Sequence, residues 1–232
     1  MSWACFDFAG RVEGHIHTAD FTRWGPLPNF SPALCERLRP HEERCMQQCQ
    51  TKSVTLVLGG VRSGKSRHAQ QLAGCWDRVT FVATAEHRDD GEMRAKIERH
   101  RADRPLHWKT IEEPLYLHLA IEQASAGSDA VLVDCLTFFA ANLLEASAED
   151  LRAQQAAIDR FCDALIAVPC TVILVSNEVG SGVVPAYVSG RRFRDLVGEL
   201  NQRVAALANT VLLMVAGLPL TVKSPVFTEV PR

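Results

Sequence analysis

The sequence predicts an α/β domain in which helices cover both faces of a mostly parallel, doubly wound sheet. Five short runs rich in aliphatic and β-branched residues provide the strands: VTLVL (54–58), VTFVA (79–83), AVLVD (130–134), TVILVS (171–176) and TVLLMVA (210–216). These runs are apolar at nearly every position, as expected for parallel strands that are buried on both faces. Segments long enough for helices separate them, and this alternation is typical of a doubly wound sheet.

The clearest of the intervening helices is predicted to begin near Gly190. Apolar side chains recur along it at the three- and four-residue spacing of one helical face. They are Phe193, Leu196, Val197, Leu200, Val204 and Leu207. A helix with such a stripe buries it against neighbouring elements, so we expect this segment to cover one face of the sheet.

The pattern divides the chain into three parts. Residues 1–52 are interpreted as a loosely structured N-terminal extension, because they carry several prolines and no clear hydrophobic period. Residues 53–223 hold the regular strands and helices and are predicted to form the functional domain. Residues 224–232, which include two prolines, are expected to be a flexible tail.

Composition narrows the possible partners. The 232 residues carry a formal net charge of −2, which gives no electrostatic reason to expect nucleic acid or an anionic membrane surface. No apolar run approaches the roughly 20 residues that a spanning helix needs. The first residues, MSWACFDFAGRVEGH, have neither the basic leader nor the apolar stretch of a secretory signal. We therefore expect a cytoplasmic protein.

A phosphate-binding loop directly follows the first strand. The stretch GGVRSGKS fits G-x-x-x-x-G-K-[ST], and a helical segment follows it, which is the context that this motif requires. Glycines let backbone amides converge on an anion, and the helix N-terminus adds favourable partial charge. Lys65 is expected to reach the β- and γ-phosphates, and Ser66 to offer its hydroxyl to Mg²⁺. The candidate phosphate ligands are Gly59, Gly60, Val61, Arg62, Ser63, Gly64, Lys65 and Ser66.

Asp134 is a second candidate ligand for the metal ion. It is the last residue of the run AVLVD, and the carboxyl ends of parallel strands meet at the edge of the sheet where phosphates bind. A carboxylate at that edge commonly completes a Mg²⁺ site in proteins with this loop. An aspartate after a strand is by itself usually a loop residue, so the phosphate loop is what favours the metal role.

Several classes of protein share such a loop. A signalling GTPase would read its base with Asn-Lys-x-Asp after a later strand, and the segment found there, SNEVG, lacks the lysine and the aspartate. A motor ATPase would be expected to bring more chain, so a small-molecule kinase fits the size best. A nucleotide-binding regulator is a second possibility, with Arg191, Arg192 and Arg194 as a docking face.

A histidine with basic neighbours follows the second strand. A helix is predicted to begin after Asp90, and His100 lies on its inward face, in line with Met93 and Ile97. A buried, hydrogen-bonded histidine and a catalytic one both fit this position. Three arginines surround it: Arg99, Arg101 and Arg104. They suit an anionic ligand and favour the neutral, nucleophilic imidazole, but a solvated basic face is equally consistent with them.

Taken together, these motifs resemble those of the bifunctional adenosylcobalamin biosynthesis family, which comprises adenosylcobinamide kinases that are also adenosylcobinamide-phosphate guanylyltransferases. The resemblance runs over about 54–223. The segments that carry it are LGGVRSGKSRHAQ, VATAE, EMRAKIERHRADRP, WKTIEEP, VLVDCLTFFAANLL, VSNEVGSGVVP, GRRFRDLVGELNQRVAALA and VAGLPLTVK. The phosphate loop alone is generic, whereas the combination is specific. The resemblance implies a RecA-like P-loop fold and a homotrimer.

The resemblance also implies two reactions at one nucleotide site. First, the γ-phosphate of ATP or GTP moves to the hydroxyl of the aminopropanol arm of adenosylcobinamide. A histidine then attacks the α-phosphate of GTP, and the guanylyl group passes from it to adenosylcobinamide phosphate. The nucleophile of the family matches His100 in KIERH, while His87 and His107 do not match it. A kinase that has lost guanylyl transfer, with a structural His100, is the alternative.

Further site residues follow from the same resemblance. The implied nucleotide contacts outside the loop are Thr84, Ala85, Glu86, Arg101, Ala102, Asp103, Arg104, Glu112 and Asp134. The implied cofactor is Mg²⁺, held by Ser66 and Asp134, and ATP and GTP are substrates. The departures are mild: Ser176 stands where a threonine is common, and residues 1–52 have no recognised counterpart.

Overall fold

A computed structural model describes residues 52–85, 104–147 and 150–224. The chain divides into units 1–42 and 43–232, and every described residue belongs to the second unit. The predicted N-terminal extension, apart from Lys52, and the predicted tail, apart from Ser224, lie outside the described residues. Within the described ranges, no helix has the length and apolar character needed to cross a bilayer.

The described part of the chain contains seven strands and five helices. The strands are β1 (Val54–Gly59), β2 (Val79–Ala83), β3 (Lys109–Glu112), β4 (Ala130–Asp134), β5 (Thr171–Asn177), β6 (Thr210–Val215) and β7 (Leu218–Lys223). The helices are α1 (Lys65–Ala73), α2 (Leu117–Ser125), α3 (Leu136–Ser147), α4 (Leu151–Ala167) and α5 (Val188–Leu207). The five predicted strands all occur, with ends within one residue of those expected, whereas β3 and β7 were not predicted.

The strands form one sheet in the order β3-β2-β4-β5-β1-β6-β7. All neighbouring pairs are parallel except β6 and β7, which are antiparallel, so the prediction of a mostly parallel sheet is confirmed. β5 lies between β1, which leads into the phosphate loop, and β4, which ends in Asp134. A strand inserted between these two positions is the arrangement of RecA-like P-loop folds, and the predicted fold class is therefore correct.

Helices cover both faces of the sheet, as the doubly wound prediction requires. α1 packs on one face, over a core that includes Val57, Phe81 and Leu132. The other four helices pack on the opposite face. Successive side chains of a strand point to opposite faces of the sheet. The side that packs against α1 receives the odd-numbered residues of β1 and β5 and the even-numbered residues of β4.

The apolar stripe predicted for α5 is confirmed. Leu196, Val197, Leu200 and Val204 are buried, and Phe193 and Leu207 pack partly buried against the same core. The helix begins at Val188, two residues before the predicted start. It covers the sheet face opposite α1 and runs back from the edge that carries the phosphate loop.

Asp150 caps the N-terminus of α4, because its carboxylate accepts hydrogen bonds from the amides of Arg152 and Ala153 at 3.0 and 3.1 Å. Replacing it with alanine leaves two amides of the first turn without this acceptor. We expect Asp150→Ala to lower the free energy of unfolding by about 1 kcal/mol in urea denaturation. Asp150→Ser should retain most of the stability, and equal stability of the alanine variant and wild type would contradict the capping role.

Candidate nucleotide site

The loop between β1 and α1 has the backbone geometry of an anion cradle. Ser63 N donates to Gly60 O at 3.3 Å, which closes the loop on itself. Arg62 and Gly64 both have left-handed φ values, of 57° and 92°. A Cβ at Gly59 would lie 2.4 Å from Ser63 Oγ, so glycine is required there for the close approach of the chain. Alternating backbone conformations of this kind turn successive amides toward one point, which suits a phosphate.

The start of α1 contributes to the same cradle. No side chain caps the helix at Gly64, and its first turn contains no acidic residue, so its N-terminal amides are available to an anion. Lys65 Nζ donates to Gly60 O at 3.2 Å, which places the ammonium group across the loop. Ser63 Oγ is buried and has no hydrogen-bond partner within the described part of the chain. A bound phosphate would supply acceptor oxygens to these amides and to Ser63 Oγ.

Two acidic residues lie at the carboxyl edge of the sheet. Ala83 of β2 is in register with Asp134 on one side and Glu112 on the other, so the three strand ends form one row. Asp134 belongs to the residues of β4 that point to the α1 side, where the phosphate loop enters its helix. The predicted meeting of Asp134 and the loop at one edge of the sheet is thus supported by strand order and register.

Thr84 joins the ends of β2 and β4. Its hydroxyl donates to Cys135 O at 2.7 Å and accepts from Cys135 N at 2.9 Å, and its side chain is fully buried. Asn142 of α3 donates to the carbonyls of Thr84 and Pro114 at 2.8 and 3.2 Å. These bonds hold the chain just before the segment of His100. The structure therefore gives the Thr84 hydroxyl a positioning role, while Ala85 follows it half-buried at the edge.

Asn177 is a site residue to which the sequence reasoning assigned no role. It ends β5 in register with Gly59, and its backbone is held by Thr137 Oγ1 at 2.8 Å and by Asn201 Nδ2 at 3.0 Å. Its Oδ1 atom is buried without a partner among the described residues. Strand alternation points its side chain to the α1 side. The sequence signal used for Asp134 is a polar residue at the end of an apolar strand, and the same signal would have identified Asn177.

A cavity of about 340 Å³ lies beside β3. It is lined by Arg104, Pro105, Leu106, Trp108, Thr110 and Glu112. The guanidinium carbon of Arg104 lies 3.5 Å from the centroid of the Phe81 ring, and this cation–π contact fixes one wall. Two of the predicted nucleotide contacts, Arg104 and Glu112, therefore line one cavity.

Cys135 is the nucleophilic side chain next to Asp134, but it is chemically quiet. Burial, and to a lesser extent the neighbouring Asp134 carboxylate, raise the pKa of the Cys135 thiol to about 11. The thiolate is the reactive form, so at neutral pH this residue does not compete as a nucleophile.

Several predicted residues lie outside the described ranges. They are Glu86, His100, Arg101, Ala102 and Asp103, together with the helix predicted after Asp90. All of them belong to the connection between β2 and β3. Thr84, near its start, and Arg104, closer to its end, are among the described residues. Their assignments remain predictions.

The arginines considered as a docking face are engaged within the chain. Arg191 Nη1 donates to the carbonyls of Pro185 and Ala186, at 3.1 and 2.7 Å. Arg194 Nη2 donates to Gly180 O at 2.6 Å. These bonds tie the loop between β5 and α5 to the start of α5. For Arg191 and Arg194, these bonds explain the position of the side chain, and no docking to another protein has to be invoked.

The strand order, the phosphate loop and the acidic residue at the sheet edge together define a P-loop nucleotide-binding protein. Residues 55–222 match the family model described as cobinamide kinase / cobinamide phosphate guanyltransferase. This match covers most of the chain and all the described strands except the first residue of β1 and the last of β7. The chain belongs to this family.

Three similar proteins are named bifunctional adenosylcobalamin biosynthesis proteins. The chain is 42% identical over 179 residues to the bifunctional adenosylcobalamin biosynthesis protein CobU of Escherichia coli (strain K12), and the match covers 72% of this chain and 98% of that protein. Identity to CobU of Salmonella typhimurium is 43%, with the same coverage. The bifunctional adenosylcobalamin biosynthesis protein CobP of Pseudomonas aeruginosa is 43% identical over 169 residues, covering 72% of this chain and 96% of that protein.

Solved structures resemble the chain more distantly. An ATPase from the type III secretion system of pathogenic bacteria gives a TM-score of 0.48 at 12% identity, over 69% of this chain and 50% of that one, so this chain spans half its length. The flagellar accessory protein FlaH of Methanocaldococcus jannaschii gives 0.42 at 14% identity, over 74% and 78%. The RecA-like assignment rests on the strand order given above.

Proposed function

We propose that this chain is a bifunctional enzyme of cobalamin biosynthesis, an adenosylcobinamide kinase and adenosylcobinamide-phosphate guanylyltransferase. The observation that carries the proposal is the family match over 55–222, which includes the phosphate loop, the segment of His100 and the acidic edge. The loop geometry supports it, because the cradle around Lys65 suits phosphates. ATP and GTP are the proposed nucleotide substrates, and adenosylcobinamide is the proposed acceptor.

In the kinase reaction, the hydroxyl oxygen of the aminopropanol arm attacks the γ-phosphorus of the triphosphate. The bond from that phosphorus to the β–γ bridging oxygen breaks, the nucleoside diphosphate leaves, and the hydroxyl proton is lost. Lys65 and the loop amides hold the phosphates and stabilise the charge that develops on the γ-phosphoryl oxygens. Asn177 lies at the same edge, and its Oδ1 has no partner among the described residues, so it could accept a hydrogen bond from a reacting group or an ordered water.

In the guanylyl transfer, a ring nitrogen of His100 attacks the α-phosphorus of GTP. The bond to the α–β bridging oxygen breaks and pyrophosphate leaves. A phosphate oxygen of adenosylcobinamide phosphate then attacks the same phosphorus, the P–N bond to the histidine breaks, and adenosylcobinamide-GDP forms. Covalent catalysis thus splits one difficult displacement into two easier ones.

The nucleotide contacts proposed outside the loop fall into two groups. Arg104 and Glu112 share the cavity beside β3, which supports the proposal that this cavity takes part of the guanine nucleotide. The other proposed contacts belong to the connection between β2 and β3: Ala85, Glu86, Arg101, Ala102 and Asp103. Thr84, predicted with them, is fully buried and bonded to Cys135, so it positions this segment instead of touching the nucleotide. Guanidinium groups there would pair with phosphate oxygens.

Mg²⁺ is the proposed cofactor, with Ser66 and Asp134 as its protein ligands. The described residues contain no group of three or more His, Cys, Asp or Glu side chains that could hold a metal. The donor set still suits Mg²⁺, which is commonly bound by one or two protein oxygens together with substrate phosphates and water. When bound, the ion would neutralise the triphosphate and the departing pyrophosphate.

The remaining expectations concern the oligomeric state and the cellular location of the enzyme. A homotrimer and a cytoplasmic location are part of this proposal; the family resemblance supports the trimer, and membership of a biosynthetic enzyme family supports the location. Gel filtration with light scattering would test the trimer, and a mass of one or two chains would contradict it.

Turnover of adenosylcobinamide tests the function as a whole. The full-length protein is incubated with adenosylcobinamide, Mg²⁺ and either ATP or GTP, and the corrinoids are analysed by mass spectrometry. We expect adenosylcobinamide phosphate with either nucleotide and adenosylcobinamide-GDP with GTP. Corrinoid that gains no phosphate with either nucleotide would overturn the kinase assignment. Accumulation of the phosphate without the GDP product would instead support the kinase that lacks guanylyl transfer.

A further inference from the structure

The tight turn between β6 and β7 lies against the phosphate loop. Gly217 N donates to Ser63 O at 3.0 Å, and a Cβ at Gly64 would lie 3.3 Å from Gly217 Cα. Ala216 and Gly217 both have left-handed φ values, of 51° and 85°, as in the two-residue turns that suit β-hairpins. The hydrogen bond and the tight turn fix the end of this hairpin beside the loop that holds the phosphates.

Two exposed apolar side chains flank the turn. Val215 and Leu218 are paired across the hairpin, and they are 55% and 71% exposed. We call this pair the Val215–Leu218 ledge. Neither side chain has a polar atom, so the ledge offers contact area without hydrogen bonds. It lies at the carboxyl edge of the sheet, the edge at which open α/β sheets bind ligands.

The direction of the triphosphate decides which part of the nucleotide reaches the ledge. In P-loop enzymes the β- and γ-phosphates lie near the loop hydroxyl and the acidic residue of a nearby strand, which would hold Mg²⁺ when it is bound. Here these residues are Ser66 and Asp134, and Asp134 ends β4, two strands from β1. A triphosphate held in this way would direct its γ-phosphate toward β4. Its α-phosphate and nucleoside would extend the opposite way, toward β6, the neighbour of β1 on the other side.

We propose that the Val215–Leu218 ledge holds the nucleobase of the triphosphate that donates the γ-phosphate, by apolar contact and without selecting between adenine and guanine. This inference rests on the proposed function, since it takes the phosphates to be held by the loop. The ledge then explains how one loop can accept either ATP or GTP as the phosphoryl donor. In guanylyl transfer the guanine is proposed to lie in the cavity beside β3 instead, so the GTP of that reaction crosses the loop in a different orientation and its base is selected by other residues.

Equilibrium binding to the full-length protein in the presence of Mg²⁺ tests the ledge. The ligands are ATP, GTP in the form of its α,β-methylene analogue, which cannot guanylylate His100, and inorganic tripolyphosphate, which carries the phosphates without a base. The double variant Val215→Ala/Leu218→Ala should raise the Kd for ATP and for GTP by similar factors of about tenfold, because an apolar contact of this size is worth roughly that much. The Kd for tripolyphosphate should not change. Leu218→Ala alone should show the same pattern with a smaller effect and keeps the test valid if the double variant folds poorly.

A matched control lies farther along the same strand. Leu220→Ala/Val222→Ala removes the same two side-chain types, which are exposed to 58% and 62%, at positions farther from the turn. We expect wild-type affinity for all three ligands. Any of three results would overturn the proposal. They are unchanged affinity for ATP and GTP in the ledge variant, a loss of affinity for only one of the two nucleotides, and an equal loss in the control variant. If wild-type protein binds neither ATP nor tripolyphosphate, the proposed function itself fails, and the ledge fails with it.

Discussion

Replacing His100 with alanine is expected to abolish covalent guanylylation and to leave phosphoryl transfer intact. The imidazole is the proposed nucleophile at the α-phosphorus, and alanine has no group that could form the P–N bond. Kinase turnover uses the γ-phosphorus and needs no such bond. We expect a loss of at least about 10³-fold in formation of adenosylcobinamide-GDP.

The measurement uses GTP labelled at the α-phosphate, with Mg²⁺ and no corrinoid. Wild-type protein should retain a label that is lost in acid and stable in alkali, as expected for a phosphoramidate. His107→Ala is the matched control, because His107 lies exposed just before β3 and does not match the nucleophile of the family. Retained label in His100→Ala, or its loss in the His107 variant alone, would show that another residue is the nucleophile.

Replacing Lys65 with alanine should abolish the kinase reaction. Its ammonium lies across the loop, 3.2 Å from Gly60 O, where it can reach the bound phosphates. Removing one preorganised charge or donor from the transition state typically costs about 10² to 10³ in kcat. Guanylylation should fall as well, because the same loop holds the phosphates that leave as pyrophosphate.

Arg67→Ala provides the control for Lys65→Ala. Arg67 carries the same charge two residues later in α1, and its side chain is exposed. Initial rates with saturating adenosylcobinamide and varied ATP would separate kcat from KM. Wild-type kcat in Lys65→Ala would mean that the phosphates do not bind at this loop, and the kinase mechanism would have to be abandoned.

The parts of the fold that the sequence predicts share one property, which is burial on both faces. β1, β2, β4 and β5 are nearly continuous apolar runs, and their ends were predicted to within one residue. The edge strands lack that signal. β3, with the sequence KTIE, is short and mostly exposed, and β7 is exposed along most of its length and contains Pro219, a residue that argues against a central strand. Neither edge strand stands out by hydrophobic pattern.

The site was predictable to the extent that its residues are adjacent in sequence. The phosphate loop is one continuous motif, and Asp134 could be placed because the carboxyl ends of parallel strands meet. The bonds from Thr84 to Cys135 and from Asn142 to Thr84 join residues 51 and 58 positions apart, and no local pattern encodes them. The contact between the Ala216–Gly217 turn and the loop likewise depends on β6 lying beside β1, which only the folded sheet reveals.

The raised pKa of Cys135 has a practical consequence for inhibitor design. Because burial raises the pKa of Cys135 to about 11, the thiol stays protonated at neutral pH, and the side chain is shielded from solvent. Electrophilic compounds that capture cysteines would pass over this residue even when they fit beside Asp134. A covalent inhibitor directed to this part of the site would have to be aimed at a side chain other than Cys135.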